Sequence, residues 1–215
     1  MDCDTGGDYC DFITLNEGRR TNIAIVVGDV SGHGIASALL MATARAFIRQ
    51  RVDLPGSLSE VIADVNRQIV RDVEDSGQFM TLFYMMVDQD SRCLEWVRAG
   101  HDPGIFYDPE RDLFEDLAGP GLALGIDGQY TYETNRKEGL EEGHIIVLGT
   151  DGIWETQSPD GTLSGKEALH QIIRENADAD ADRLLEVIIK ALGHFREGLS
   201  LQDDVTLIVV QIGKA

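Results

Sequence analysis

The sequence predicts an α+β fold, a layered sandwich of strands and helices, and two observations predict it. The expected order is strands, two helices, a long run of strands, two more helices and a closing strand. Helices that arrive in pairs between strand blocks do not fit the regular alternation of a βαβ fold. Local periodicity gives the same division, with apolar spacing of three and four in the helix candidates and short β-rich runs elsewhere.

The first strand is expected over Asp8 to Leu15, ending at the turn-like Asn16-Glu17-Gly18. A second, Asn22 to Val30, contains the β-rich run Ile23 to Val27. Three glycines within Gly28 to Gly34 signal a tight loop. An Ala-rich helix follows from Ile35 to Arg51, and Pro55-Gly56 ends it. Ser57, with Glu60 three residues on, forms a capping box for a helix reaching about Asp75. Its apolar face is Leu58, Val61, Ile62, Val65, Ile69 and Val73. Strands are then expected at Met80 to Val87, Cys93 to Ala99, Gly104 to Tyr107, Tyr130 to Asn135 and Ile145 to Gly149. Helices return at Lys166 to Asn176 and Asp182 to Arg196, and Val205 to Ile212 closes the chain. No repeat, linker or low-complexity segment divides the 215 residues, so 1–215 reads as a single domain.

Acidic residues outnumber basic ones by 38 to 18, a formal charge of −20. Such a surface repels nucleic acid and anionic membrane, so neither is expected as a partner. It also repels phosphorylated substrates unless bound cations reverse the sign locally. Cys3, Cys10 and Cys93 form neither a metal-ligand pattern nor an even disulfide framework. With no apolar run of about 20 residues and no signal-peptide pattern, the expected location is cytoplasmic.

Four aspartates sit at the ends of apolar, strand-like runs, most beside glycine: Asp8 after Gly6-Gly7, Asp29 after Gly28, Asp151 before Gly152, and Asp203 with Asp204 before Val205. A carboxylate at a buried strand end is costly unless a cation neutralises it. Four converging carboxylates would make a hard oxygen site for Mg²⁺ or Mn²⁺. A single aspartate beside glycine is more often a turn residue, which is the reading for Asp88, Asp90, Asp108 and Asp127. Spacing and composition alone leave ligand and turn both open for the other four.

The segments Gly6-Gly7-Asp8-Tyr9-Cys10-Asp11-Phe12, Gly28-Asp29-Val30-Ser31-Gly32-His33-Gly34, Thr150-Asp151-Gly152-Ile153-Trp154-Glu155 and Asp203-Asp204-Val205-Thr206 resemble bacterial phosphatases of the SpoIIE/RsbU type. That branch belongs to the protein phosphatase 2C (PPM) superfamily. Ala99-Gly100-His101-Asp102-Pro103 and Gly119 to Gly125 also resemble family loops. The resemblance implies an α-β-β-α sandwich of two antiparallel sheets flanked by helix pairs, with two divalent ions, Mn²⁺ or Mg²⁺. It implies that Asp8 binds one metal, Asp29 bridges both, the Val30 carbonyl assists, and Asp151 and Asp203 hold the other ion. Asp204 rivals Asp203, because adjacent carboxylates leave opposite faces of a strand.

The reaction implied is attack of a metal-activated water on phosphoserine or phosphothreonine. His33 is a candidate general acid beside Asp29 as the catalytic pair; the alternative is that His33 caps the next helix or faces solvent. His101 is expected to bond structurally, and His144, His170 and His194 to lie at the surface. Asp11 and Glu155 are candidates for tuning the ligands. The resemblance implies a protein substrate, an anti-anti-sigma (STAS) domain in partner-switching signalling. A homodimer is compatible with it. Met1 stands almost on the first motif, which points to a fragment of a longer protein with an upstream sensor or receiver domain. The competing function is a pseudophosphatase that binds a partner without catalysis, disfavoured by intact aspartates in all four motifs.

Overall fold

The computed structural model describes residues 6–17, 20–88, 90–199 and 204–213. The chain forms two compact units: Met1–Pro103 with Ala118–Leu140, and Gly104–Leu117 with Glu141–Ala215.

The first unit holds a five-stranded sheet and two helices. Its strands are β1 (Tyr9–Glu17), β2 (Arg20–Val30), β3 (Met80–Asp88), β4 (Cys93–Ala99) and, named in chain order after two strands of the second unit, β7 (Asn135–Glu138). They lie in the order β1-β2-β3-β4-β7, each neighbour antiparallel. Helices α1 (Ile35–Val52) and α2 (Leu58–Val73) cover one face. Leu40, Ala44 and Ile48 of α1 and Val61, Ile62, Val65 and Ile69 of α2 form one core with Ala24, Val26, Leu82 and Tyr84 of the sheet. Full burial of an Ile or Leu contributes about 2 kcal/mol each. The expected capping box is present: Glu60 N–H donates to Ser57 Oγ, and Ser57 N–H donates to Glu60 Oε2 at 2.8 Å.

Two helix faces bind through polar groups. Asn66 of α2 is fully buried; its Nδ2 donates to the Asp127 carbonyl at 2.7 Å and its Oδ1 accepts from Gly125 N–H at 3.0 Å. Arg49 of α1 grips Asp11 of β1 with two hydrogen bonds, Nε to Oδ2 at 2.6 Å and Nη2 to Oδ1 at 2.5 Å. Tyr9 hydroxyl donates to the same carboxylate at 2.9 Å. Burial pushes the Asp11 carboxyl up, but Arg49, Tyr9 and Arg45 together outweigh it and hold it below the usual carboxylate range.

The second unit carries β5 (Gly104–Asp108), β6 (Leu113–Leu117), β8 (Ile145–Gly149) and β9 (Leu207–Gln211) in the order β6-β5-β8-β9, all antiparallel. Helices α3 (Gly165–Glu175) and α4 (Ala181–Phe195) pack through Leu169, Ile173, Leu184 and Ile188 against Ile105, Ile145 and Val147. All five β8 residues are buried, as their unbroken apolar run requires. Among the described residues, four helices and two antiparallel sheets make the α+β class expected from the sequence.

Three expectations change. The strand placed at Tyr130 to Asn135 lies instead at Asn135–Glu138, because Tyr132 is buried outside the ladder with its hydroxyl on the Leu122 carbonyl at 2.9 Å. The strand Leu113–Leu117 was not expected; its Glu115-Asp116 pair hides the pattern. His144 is buried rather than superficial, accepting from Glu141 N–H at 3.0 Å and meeting the Phe106 ring edge at 4.9 Å. His170 is half-buried, stacked on Phe114 at 4.2 Å, while His194 is exposed as expected. Asp88, Asp108 and Asp127 do cap turns, each accepting backbone N–H bonds from residues two or three ahead.

Candidate metal centre

Asp29 lies one residue from the end of β2, opposite Thr81 on β3. Gly28 before it allows β3 to close in: a Cβ at Gly28 would stand 2.6 Å from the Thr81 carbonyl oxygen. The segment 6–8 then runs beside this strand end. Val30 N–H donates to the Gly7 carbonyl at 3.3 Å. A Cβ at Gly7 would stand 2.7 Å from the Val30 carbonyl oxygen and 3.1 Å from Asp29 Oδ1. Glycine is therefore required at position 7 to admit the backbone leading into Asp8. Asp8 and Asp29 are both half-buried.

The loop after β2 is fixed by Ser31, whose N–H donates to the Phe79 carbonyl at 2.9 Å and whose Oγ accepts from Phe79 N–H at 3.0 Å. Gly32 and Gly34 take φ of 84° and 85°. His33 stands exposed between them and does not cap α1, whose N-cap is Gly34 without a side-chain bond. Below Asp29, the hydroxyl of Thr81 is 2.8 Å from Nδ1 of buried His101. Arg98 holds this loop, with Nε on the His101 carbonyl and Nη1 on the Gly119 carbonyl at 2.7 Å. His101 thus bonds structurally, and the two glycine-bearing loops meet: a Cβ at Gly100 would lie 2.8 Å from Ala123 N.

In the second unit Asp151 follows β8 directly, and Glu155 N–H donates to its carbonyl at 2.8 Å. Thr150 N–H donates to the Thr206 carbonyl, and Thr206 N–H donates to Thr150 Oγ1, both at 3.1 Å. A Cβ at Gly152 would collide with the Asp204 carbonyl, so the loops bearing Asp151 and Asp204 are packed backbone to backbone. Asp151 and Asp204 are exposed. Asp203 lies outside the described residues. Among the described residues no group of three or more His, Cys, Asp or Glu side chains is gathered closely enough to hold a metal ion. Within the first unit, Asp8, Asp29 and the Val30 carbonyl are hard oxygen donors on adjoining backbone, the type that suits Mg²⁺ or Mn²⁺.

Asp11 takes no part in this cluster. It lies on β1 under α1, where Arg49 and Arg45 engage it. Sequence reasoning missed Thr81, whose only signal is its register opposite Asp29, and Arg98, which carries none.

The family profile described as Stage II sporulation protein E (SpoIIE) matches residues 19–213. The phosphoserine phosphatase RsbU of Bacillus subtilis (strain 168) is 32% identical over 205 residues, covering 95% of this chain and 59% of that protein. The chain spans about half the length or less of other curated relatives it matches, 35% and 49% of two of them. The SiaA-PP2C domain of Pseudomonas aeruginosa has the same fold, with TM-score 0.80 at 21% identity over 96% of this chain and 80% of that one. RsbX, solved in complex with magnesium, gives TM-score 0.67 at 16% identity over 96% of this chain and 87% of that one. No helix among the described residues is long and apolar enough to cross a membrane. The family match over residues 19–213 and the 32% identity to RsbU decide it: the chain belongs to the SpoIIE family, the RsbU-type branch of the PPM phosphatases.

Proposed function

We propose that this chain hydrolyses phosphoserine or phosphothreonine on a protein, using two divalent cations, Mn²⁺ or Mg²⁺. Asp8, Asp29, the Val30 carbonyl, Asp151 and Asp203 hold the ions, with Asp204 the rival for Asp203. The observation that carries this reading is the approach of Gly7 to Val30 O and Asp29 Oδ1, a cradle that a single methyl group would fill. Bound cations supply an acidified water and offset negative charge on the phosphoryl oxygens.

The chain's own residues divide the remaining work. The β2–β3 register sets Asp29, and the Ser31–Phe79 pair fixes the loop behind it. His33, exposed on that loop, donates a proton to the departing serine or threonine oxygen. The net charge of −20 makes cations necessary for any phosphorylated ligand to approach. The substrate in this reading is a STAS-domain anti-anti-sigma factor, the setting is partner-switching signalling, and the location is the cytoplasm. A regulatory domain upstream acts through α1 and α2, and a homodimer is compatible with that arrangement.

The experiment is hydrolysis of a phosphoserine STAS protein and of an aryl phosphate, with Mn²⁺, with EDTA and with Asp29→Asn, alongside calorimetric Mn²⁺ titration. Metal-dependent turnover lost in Asp29→Asn is expected. His33→Ala should lower turnover of the phosphoserine protein ~100-fold and that of the aryl phosphate far less, because a phenolate leaves without a proton. Metal-independent turnover overturns the mechanism; absence of both turnover and Mn²⁺ binding establishes the pseudophosphatase.

A further inference from the structure

The loop that carries Asp151 is tied down by the start of α3. Its own bonds come first: Ile153 N–H donates to the Thr150 carbonyl at 3.2 Å, and Thr156 Oγ1 donates to the Gly152 carbonyl at 2.6 Å. The carbonyls of Ile153, Trp154 and Thr156 take their donors from further along the chain. Ser164 Oγ donates to Ile153 O at 2.8 Å, Gly165 N–H to Trp154 O at 3.0 Å, and Ser164 N–H to Thr156 O at 2.9 Å. Ile153 is 1% exposed, and its Cδ1 lies only 2.1 Å from where a Cβ on Gly149 would stand. Asp151 thus sits midway between the end of β8 and a residue pinned both by packing and by Ser164.

Ser164 spends its hydroxyl in an unusual way. It is the N-cap of α3, where a serine ordinarily accepts a hydrogen bond from the first helical turn. It makes no such bond, and its φ and ψ of −62° and −43° are already helical. Ser57 and Asp180, at the starts of α2 and α4, do cap their helices, accepting from Glu60 N–H and Arg183 N–H. The start of α3 therefore forgoes its side-chain cap, and the Asp151 loop gains the donor.

The next two residues hold the same loop. Gly165 has φ of 73°, a conformation that a side chain would strain, and its N–H is the donor to Trp154. Lys166 places its ammonium 4.7 Å from the centre of the Trp154 ring, a cation–π contact. Three consecutive residues, each by a different interaction, grip the loop just past Asp151.

We infer that Ser164 is a positioning residue for Asp151. This rests on the proposed role of Asp151 as a metal ligand. Ser164 acts through the loop backbone: a ligand carboxylate binds its cation more tightly when the chain bearing it is fixed in advance.

The test is calorimetric Mn²⁺ titration with thermal melting of the whole chain, without any activity assay, on Ser164→Ala, Ser164→Thr, Asp180→Ala and Asp151→Asn. Ser164→Ala leaves the Ile153 carbonyl without its donor and should weaken Mn²⁺ binding about tenfold. Ser164→Thr keeps the hydroxyl and should bind Mn²⁺ like the wild type. Asp180→Ala removes the α4 cap in the same unit and should lower the melting temperature with Mn²⁺ affinity unchanged, which separates positioning from general loss of stability. Wild-type affinity in Ser164→Ala overturns the inference, and so does failure of Ser164→Thr to recover it or an equal loss in Asp180→Ala. Asp151→Asn tells the two readings apart. Weakened binding there with Ser164→Ala unaffected removes the positioning role alone, whereas unaltered binding removes Asp151 from the ligands and the inference with it.

Discussion

Gly7 and Val30 are in such close contact that a Cβ on the first would stand 2.7 Å from the carbonyl oxygen of the second. Real side chains do not tolerate that approach, so any substitution must push the Asp8 segment off the end of β2. The backbone of Gly7 needs no left-handed conformation, and the fold itself should survive. Gly7→Ala is therefore expected to weaken Mn²⁺ binding tenfold or more, with melting changed by only a few degrees. Calorimetric titration beside thermal melting checks it; unaltered metal affinity would remove Val30 and Asp8 from the ligand set.

Asp11 and Arg49 tie β1 to α1, and the tie depends on pH. The folded-state carboxyl is depressed, so its contribution to stability is complete above the unfolded value of about 3.9 and is lost as pH falls through the lower folded value. Asp11→Asn should cost stability at pH 7 and nearly nothing once both forms are protonated. The two stability curves, measured by denaturant titration at several pH values, should converge in acid. Parallel curves would show that Asp11 contributes by packing alone.

Asn66 is the polar group whose loss should cost most in the helical layer. Both ends of its amide are used, on Gly125 N–H and the Asp127 carbonyl. Asn66→Ala leaves both backbone groups without their partner and should destabilise by about 2 kcal/mol. In a protein of this size that is a melting shift of roughly 4–8 °C. A shift under one degree would mean that water replaces the amide.

Elements with local signals were legible in the sequence. The α2 boundary follows from Ser57 and Glu60, and β8 from its apolar run, because a cap and an apolar run need no distant partner. The edge strands were not. Asn135-Arg136-Lys137-Glu138 is a strand only because β4 offers it hydrogen bonds, and its charges protect an exposed edge. His144 misled for the same reason: nothing nearby in sequence reveals that Phe106 and Asp108 enclose it. In the candidate site the glycines announced close approaches at Gly7, Gly28 and Gly152. Which backbone atom each one meets depends on strand register, and that is long-range information.

Thr81 and His101 form the support under Asp29, and their coupling is measurable. The hydroxyl and Nδ1 are 2.8 Å apart in a buried setting, while Thr81 sits directly across from Asp29 in the ladder. Thr81→Val keeps the shape and removes the hydrogen bond; His101→Phe keeps the ring and removes the nitrogen. Each change alone strands a buried polar group and should cost about 1–3 kcal/mol. Once one partner is gone, removing the other should cost much less, giving a coupling energy of about 1 kcal/mol in a double-mutant cycle. Mn²⁺ affinity should fall in both single variants if the pair also holds Asp29 in place. Additive stability losses with unchanged metal affinity would reduce His101 to a space-filling ring.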